Sequence, residues 1–215
     1  MNARHAIVLA AGRGSRLGRG PKALLPWGDE VLATRAARAA LGAGCSVTVA
    51  VGPGARIARR RLRERCPAAH VVAVHDAALG MSASLRAAVL PLIATGVSPE
   101  AVIVLLVDQP GVGSAVIREL FRAHVPGRVT RAVWAGVPGN PILFDTGHLL
   151  SAAARAEGDA GARAWIRMHP DLVDDVECGN LGRGDDIDTP EDLLAWNDPD
   201  TSRAPSCGTA LHPLP

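Results

Sequence analysis

The chain has 215 residues, a hydrophobic fraction of 48% and a formal net charge of +2; it is long enough to bury a core in one domain and carries too little charge to imply a polyanionic partner. Aromatics make up 3% and tyrosine is absent, which argues against a stacking surface for nucleic acid, and no apolar stretch is long enough to cross a bilayer, so no membrane partner is expected. The four cysteines form no Cys-x-x-Cys pair and the seven histidines show no zinc-ligand spacing, as expected for reduced thiols of a cytoplasmic protein.

The first apolar run, 5–10, reads as a buried strand. Its apolar stretch is short and meets arginines at once, so a strand is a better reading than a secretory signal. It leads into Ala11-Gly12-Arg13-Gly14-Ser15-Arg16-Leu17-Gly18-Arg19-Gly20-Pro21-Lys22. Glycines let backbone N–H groups turn inward and approach an anion closely, and the interleaved cations supply opposite charge. The stretch from Leu9 and Ala10 through Ser15, with Lys22, is therefore a candidate phosphate-holding loop. Every basic residue of the chain is arginine except Lys22, and a compact ammonium is chemically distinct from a planar guanidinium fork. The loop is not a Walker loop, because Ala23 stands where a hydroxyl would meet magnesium. It is not a dinucleotide fingerprint either: Gly12 and Gly14 are followed by Leu17, and the second strand ends in Gly52-Pro53-Gly54 with no acid for a ribose.

Strands are expected at 46–51, 70–74 and 101–107, and helices at 30–42, 54–65 and 82–94. This alternation argues for a mostly parallel sheet with helices on both faces. Asp29 and Glu30 would suit the first turn of the 30–42 helix. The 54–65 segment carries Arg56, Arg59, Arg60, Arg61, Arg63 and Arg65; with no aromatic interleaved, a solvated helix face is the reading preferred over an acidic-partner patch. Ser82 reads as a helix N-cap, although an exposed helix start could also offer donors to a ligand. Asp108 directly follows the continuously apolar strand 101–107, which places its carboxylate at the sheet's ligand edge, where it could be a hard-cation ligand or an ordinary turn residue. After a helix at 113–124, strands are expected at 129–134 and 141–144, flanking Gly136 to Asn140. Thr189 can cap a helix with Pro190 at its first position; capping does not require Asp186 or Asp188.

The pattern L-A-A-G-x-x-S-R-L-G-x-x-x-K-x-L-L-P resembles the signature of sugar-nucleotide-type nucleotidyltransferases, most nearly the molybdopterin nucleotidyltransferases and among them the CTP:molybdopterin cytidylyltransferases. The resemblance extends to about residue 196. It implies an α/β, single-domain, Rossmann-like fold of the nucleotide-diphospho-sugar transferase type over 1–197; the composition of 198–215, rich in Pro, Ser and Thr, reads as a disordered tail. It implies CMP transfer from CTP to a small phosphorylated acceptor such as molybdopterin cofactor, with Mg2+ as cofactor and a molybdoenzyme as a candidate protein partner. Gly80, Met81, Ser82 and Ser84 would lie by the base. Asp108 would bind Mg2+, with Asp188, the aspartate before Thr-Pro-Glu-Asp, as its partner. The N–H groups of Arg13 to Ser15, with Arg16, would hold the β- and γ-phosphates, and Lys22 would neutralise the α-phosphate. Gly139, Asn140 and Pro141 resemble the family's acceptor segment. Arg163, ending Gly158-Asp159-Ala160-Gly161-Ala162-Arg163, would meet an acceptor phosphate or sit at a helix start as a surface arginine. The methyl of Ala11, where related guanylyltransferases carry glycine, would narrow the space for a purine.

The sequence also supports two rival readings. Leu106-Val107-Asp108-Gln109-Pro110-Gly111 also resembles the nicotine blue oxidoreductase-type relatives, which would make the chain NAD(P)H-dependent; the missing dinucleotide fingerprint stands against that. A non-catalytic nucleotide-binding module or molybdoenzyme chaperone is the other, and intact Lys22, Asp108 and Asp188 argue against it.

Overall fold

The computed structural model describes residues 4–94 and 99–197; the expected tail at 198–215 lies outside them. In chain order the first half contains β1 (Arg4–Ala10), a hairpin of β2 (Pro26–Trp27) and β3 (Glu30–Val31), α1 (Leu32–Gly42), β4 (Ser46–Val51), α2 (Ala55–Arg65), β5 (Ala69–Ala73) and α3 (Met81–Ala94). The second half contains β6 (Ala101–Leu106), α4 (Ser114–Ala123), β7 (Val129–Trp134), β8 (Val137–Asp145), α5 (Thr146–Arg155), α6 (Arg163–Met168), β9 (Val173–Glu177) and α7 (Pro190–Asn197).

The apolar runs are continuous because both faces of the central strands are covered. On β1, Ala6, Val8 and Ala10 enter one core while Ile7 and Leu9 enter the other. On β6, Ile103 and Leu105 point into the first and Val102 and Val104 into the second. Helices α1, α2 and α4 fill the first face; α3, α5 and α6 fill the second. Fully buried side chains such as Leu62, Leu120 and Leu149 each stabilise the fold by about 1.5–3 kcal/mol.

One seven-stranded sheet runs β5-β4-β1-β6-β8-β7-β9. β5, β4, β1 and β6 are parallel; β8 alone is reversed, antiparallel to β6 and β7, and β9 lies parallel to β7. The chain places β4 and β5 on one side of β1 and then crosses to β6 on the other. The crevice between β1 and β6 is therefore the point where strand order reverses, the place where open α/β sheets bind ligands. Together with its flanking helices this is the single-domain α/β architecture of the nucleotide-diphospho-sugar transferase type.

Several boundaries differ from expectation. The first helix begins at Leu32, not 30. Asp29 and Glu30 belong to the hairpin instead: Glu30 accepts from Arg38 Nη2 at 2.5 Å and Asp29 from Arg65 Nη1 at 3.1 Å. Gly136 to Asn140 is not a connection. β8 begins at Val137, and the chain reverses at Ala135 and Gly136, with φ of 50° and 81°. The Glu177 carboxylate fastens that turn by accepting from the N–H groups of Ala135 at 3.1 Å and Gly136 at 3.0 Å. The α2 arginines are on a solvated face, with Arg60 and Arg61 near Glu64. Cys45, Cys66 and Cys178 are unpaired and buried, and burial pushes the thiols of Cys45 and Cys178 up to about 11. Among the described residues no helix is long and apolar enough to cross a membrane.

Candidate active site

The glycine-arginine loop leaves β1 and folds back on itself. Leu17 N–H donates to Gly14 O at 3.1 Å and Lys22 N–H to Gly12 O at 3.2 Å, and the buried Leu17 side chain pins the loop into the core. A cavity of about 410 Å³ opens beside it, at the β1/β6 crevice. Leu9, Ala11, Gly12, Arg13, Ser15 and Lys22 form one wall; Leu106, Val107 and Asp108 form the floor. Gly80, Met81 and Ser84, from the start of α3, form the opposite wall.

Not every residue of the sequence-based set reaches this cavity. Ala10 points into the core beneath the first helical layer. Gly14 shapes the loop rather than lining the cavity: a β-carbon there would come 2.3 Å from Gly20 O. Ser82 is not an N-cap, because α3 already begins at Met81; it is buried, with its hydroxyl 3.5 Å from Leu79 O and accepting from Arg86 Nη2 at 3.4 Å. Arg16 is 79% exposed and lies outside the cavity, with Nη1 3.7 Å from Asp188 Oδ2. Gly139, Asn140 and Arg163 line a separate cavity over β7, β8 and α6, and Pro141 does not line it.

The centre of the site is Lys22. Its Nζ donates to Asp108 Oδ2 at 2.5 Å and also to Asp188 Oδ1. The side chains of Lys22 and Asp108 are only 13% and 18% exposed, whereas Asp188 is 43% exposed. Burial by itself would lower the Lys22 ammonium, but the two carboxylates outweigh it and hold its pKa above the ordinary lysine value. The ammonium stays charged, and two carboxylates 80 residues apart in sequence share one cation.

Asp188 arrives there because the segment after β9 lies across the exit of β6. Ile187 is fully buried and its N–H donates to Asp108 O at 2.9 Å. Gln109 Nε2 donates to Gly184 O at 2.8 Å. Close packing fixes the same path: a β-carbon on Gly182 would meet Gly111 O at 2.5 Å, and one on Gly184 would meet the Trp134 ring at 2.2 Å. Thr189 and Asp192 then cap α7 reciprocally, Asp192 N–H to Thr189 Oγ1 at 3.2 Å and Thr189 N–H to Asp192 Oδ2 at 2.8 Å. Asp192 Oδ2 also accepts from Asp188 N–H at 2.9 Å, orienting that residue. Asp186 is not on Lys22; it is held by Gln109, and partial burial, with repulsion from Asp108 and Asp188, raises its carboxyl above the usual range.

Among the described residues no group of three or more His, Cys, Asp or Glu side chains forms a metal cage. Two carboxylates already converging on one cation nevertheless suit a hard divalent ion of the kind that takes one or two protein carboxylates and completes its shell with water and substrate phosphate. The Lys22 ammonium stands where such an ion would be held.

Asp159 was not foreseen. Its Oδ1 accepts from Met81 N–H at 3.3 Å and it lines the main cavity, so the Gly158–Arg163 stretch closes the main cavity at one end and borders the second cavity at the other. Sequence spacing gave no hint of this, since the contact joins residues 78 apart. Gly80, at φ +89°, makes the contact possible: a β-carbon would come 2.4 Å from Asp159 Oδ1 and 2.7 Å from Gly158 O. Gly80→Ala is expected to destabilise the fold by about 2 kcal/mol, read as a melting temperature lowered by roughly 4–8 °C. Gly147→Ala, in a helix with nothing within 4 Å of its β-carbon, should be neutral or stabilising in the same measurement. Equal effects from the two would show that the Gly80–Asp159 clasp carries no weight.

Comparison with known proteins adds three findings. Residues 6–174 match the family model described as the MobA-like NTP transferase domain; Asp188 lies beyond the match. The chain is 36% identical over 197 residues, 87% of this chain and 93% of the relative, to a protein of Paenarthrobacter nicotinovorans called nicotine blue oxidoreductase. Among solved structures it resembles Rv0371c from Mycobacterium tuberculosis H37Rv, with 28% identity, a TM-score of 0.74 and coverage of 90% of this chain and 97% of that one. A manganese complex of Rv0371c matches with a TM-score of 0.61 at 24% identity, covering 81% of this chain and 88% of that one.

Proposed function

The chain belongs to the MobA-like NTP transferase domain family, and from that membership we propose that it moves CMP from CTP to a small phosphorylated acceptor of the molybdopterin kind, with Mg2+. The observation that carries this reading is the Lys22–Asp108–Asp188 junction beside a glycine-rich loop at the β1/β6 crevice.

In the proposed reaction an acceptor phosphate oxygen attacks the α-phosphorus of CTP, the bond from that phosphorus to the bridging α–β oxygen breaks, and pyrophosphate leaves. Such transfer needs positioning and charge neutralisation more than covalent help. Backbone N–H groups of the Gly12–Ser15 loop bind the β- and γ-phosphates, with Arg13 at the cavity wall. Lys22 holds its positive charge at the α-phosphate. The wall at Gly80, Met81 and Ser84, facing Ala11, receives the base. Asp108 and Asp188 would hold Mg2+, which would supply Lewis-acid stabilisation of the charge on the reacting phosphates. No side chain is required as a nucleophile. Arg16, exposed beside Asp188, is well placed to meet the leaving pyrophosphate as it departs. The buried unpaired thiols support a reducing, cytoplasmic setting.

The P. nicotinovorans relative favours a second reading, an NAD(P)H-dependent oxidoreductase, because identity of 36% spans nearly both chains. Against it, β4 is followed by Gly52-Pro53-Gly54, with no acid to take a ribose. Thermal unfolding separates the two. A ligand at about 100 times its Kd adds roughly 2.7 kcal/mol, which should raise the melting temperature of a chain this size by roughly 5–10 °C. CTP with Mg2+ is expected to do so and NADPH is not. A shift from NADPH with none from any nucleoside triphosphate would reject the transferase reading.

A further inference from the structure

A helix laid on a sheet normally turns an apolar stripe inward and charge outward. The first face of the sheet obeys this: α1, α2 and α4 carry ten arginines and two glutamates in 32 residues. The second face does not. α3 and α5 together have 24 residues, of which only Arg86 and Arg155 are charged. Neither lies at the middle of the face. Arg86 turns back toward the start of α3, its Nη1 donating to Ala156 O at 2.6 Å and its Nη2 to Ser82 Oγ at 3.4 Å. Arg155 is the last residue of α5. The outer side of α3 instead presents Leu90 and Ile93, 62% and 59% exposed and one helical turn apart. A single exposed apolar side chain is ordinary; two on one turn, in a layer without charge, are a surface made to be covered.

The two helices are antiparallel neighbours. The Arg86 contact joins the start of α3 to the end of α5. At the other end Thr146 N–H, the first of α5, donates to Glu100 O at 3.1 Å, at the entry to the strand that follows α3. Their outer sides differ in relief. α3 carries the large Leu90 and Ile93, whereas α5 turns the small Ser151 and the exposed Ala154 outward, again one turn apart. One helix is a ridge and the other a shallow recess, both uncharged. The short α6, with its two arginines, borders the cavity over β7 and β8 instead.

We propose that the α3–α5 face docks a second copy of this chain, about a twofold axis running along the helices. That operation lays α3 of each copy on α5 of the other, so the ridge of Leu90 and Ile93 enters the recess at Ser151 and Ala154 twice over. Charge selects this occupant. A surface bearing charged groups would have to bury them unpaired here, because the face has no opposite charge to offer. Its own copy brings none. The same arrangement turns the arginine-rich layers of α1, α2 and α4 outward, with both sheets between them, so their mutual repulsion is small. The main cavity stays open: it meets α3 at Met81 and Ser84, and Leu90 and Ile93 lie about 13–18 Å further along the helix from Met81. None of this depends on the transferase reading.

Sedimentation equilibrium of the full chain, from about 1 to about 100 micromolar, is the test, since an oligomer's population follows concentration. The wild type is expected to approach twice the chain mass at the top of that range, and to do so equally in high salt, because no charge pair holds the contact. Leu90→Glu on the ridge and Ala154→Arg in the recess should each raise the dimer Kd by about a hundredfold or more, leaving monomer throughout. Both side chains are exposed in the single chain, so the melting temperature of the dilute monomer should not change; if Leu90→Glu fails to fold, Ala154→Arg decides alone. Arg59→Glu, exposed on α2 at the opposite face, should leave the dimer intact. The proposal is overturned if the wild type is monomeric across the range, if Ala154→Arg or a folded Leu90→Glu dimerises as the wild type does, or if Arg59→Glu dissociates the dimer. The readout involves neither nucleotide nor turnover, so it can succeed or fail whatever the chain transfers.

Discussion

Asp108→Asn is expected to reduce nucleotide transfer by about a thousandfold or more while leaving the fold in place. Loss of a metal-holding carboxylate removes several kcal/mol of transition-state charge stabilisation, and each 1.36 kcal/mol is a factor of about ten in rate. The fold survives because the structural contact at this position is made by the backbone: Ile187 N–H donates to Asp108 O, which the substitution leaves intact. Binding should move the other way when no metal is present. The carboxylate repels a triphosphate and competes for Lys22, so CTP without Mg2+ should bind the variant at least as tightly as the wild type. Steady-state turnover and calorimetric CTP binding, each with and without Mg2+, check both halves. Near-wild-type turnover with Mg2+ would remove Asp108 from the metal site.

Lys22→Met should separate metal affinity from catalysis. In the wild type the ammonium lies between Asp108 and Asp188 and competes with any divalent ion for them. Removing it leaves two facing carboxylates without a cation. Stability should fall by about 1–2 kcal/mol, less than for a fully buried pair because Asp188 is 43% exposed. Mn2+ should then bind more tightly than in the wild type and restore the lost stability, while transfer falls by about a hundredfold or more for want of the charge at the α-phosphate. Electron paramagnetic resonance of free Mn2+ measures the first effect and turnover the second. Unchanged Mn2+ affinity would mean that the carboxylates do not hold the ion. Lys22→Arg should also fail in turnover, because the lysine stem threads a tight loop: a β-carbon on Gly14 would already stand 3.4 Å from Lys22 Cγ. A planar guanidinium fork does not reproduce the compact ammonium that both carboxylates share.

The loop was legible because its chemistry is local. Glycines, arginines and one lysine within a dozen residues after an apolar run predict an anion-binding turn at a strand end, and β1 and the main cavity are where that pattern puts them. The capping of α7 was legible for the same reason, since Thr189, Pro190 and Asp192 interact within one turn. The central strands were readable from unbroken apolarity, which follows from burial on both faces. The second half of the sheet was less so. β9 is an edge strand rich in charge because Asp174 and Asp175 pair with Arg128 and Arg131 and Glu177 fastens a turn, and its sequence therefore lacks the apolar signature of a strand.

What the sequence determined by itself is the parallel half of the sheet and the glycine-arginine loop at the end of its first strand, because each follows from a local pattern; the candidate partner of Asp108 came with the family resemblance, which left Asp186 and Asp188 both within reach. What only the tertiary structure decided is how those pieces meet. Ser82 turned inward once α3 began one residue earlier, Asp159 joined the cavity wall through a glycine-permitted contact, and Asp188 rather than Asp186 closed on Lys22. The reason is close packing. The path of 181–189 is set by Gly182 against Gly111, Gly184 against Trp134 and the buried Ile187 beneath Asp108, and in a stretch where neighbouring aspartates differ by two positions, only that path selects which one faces the lysine.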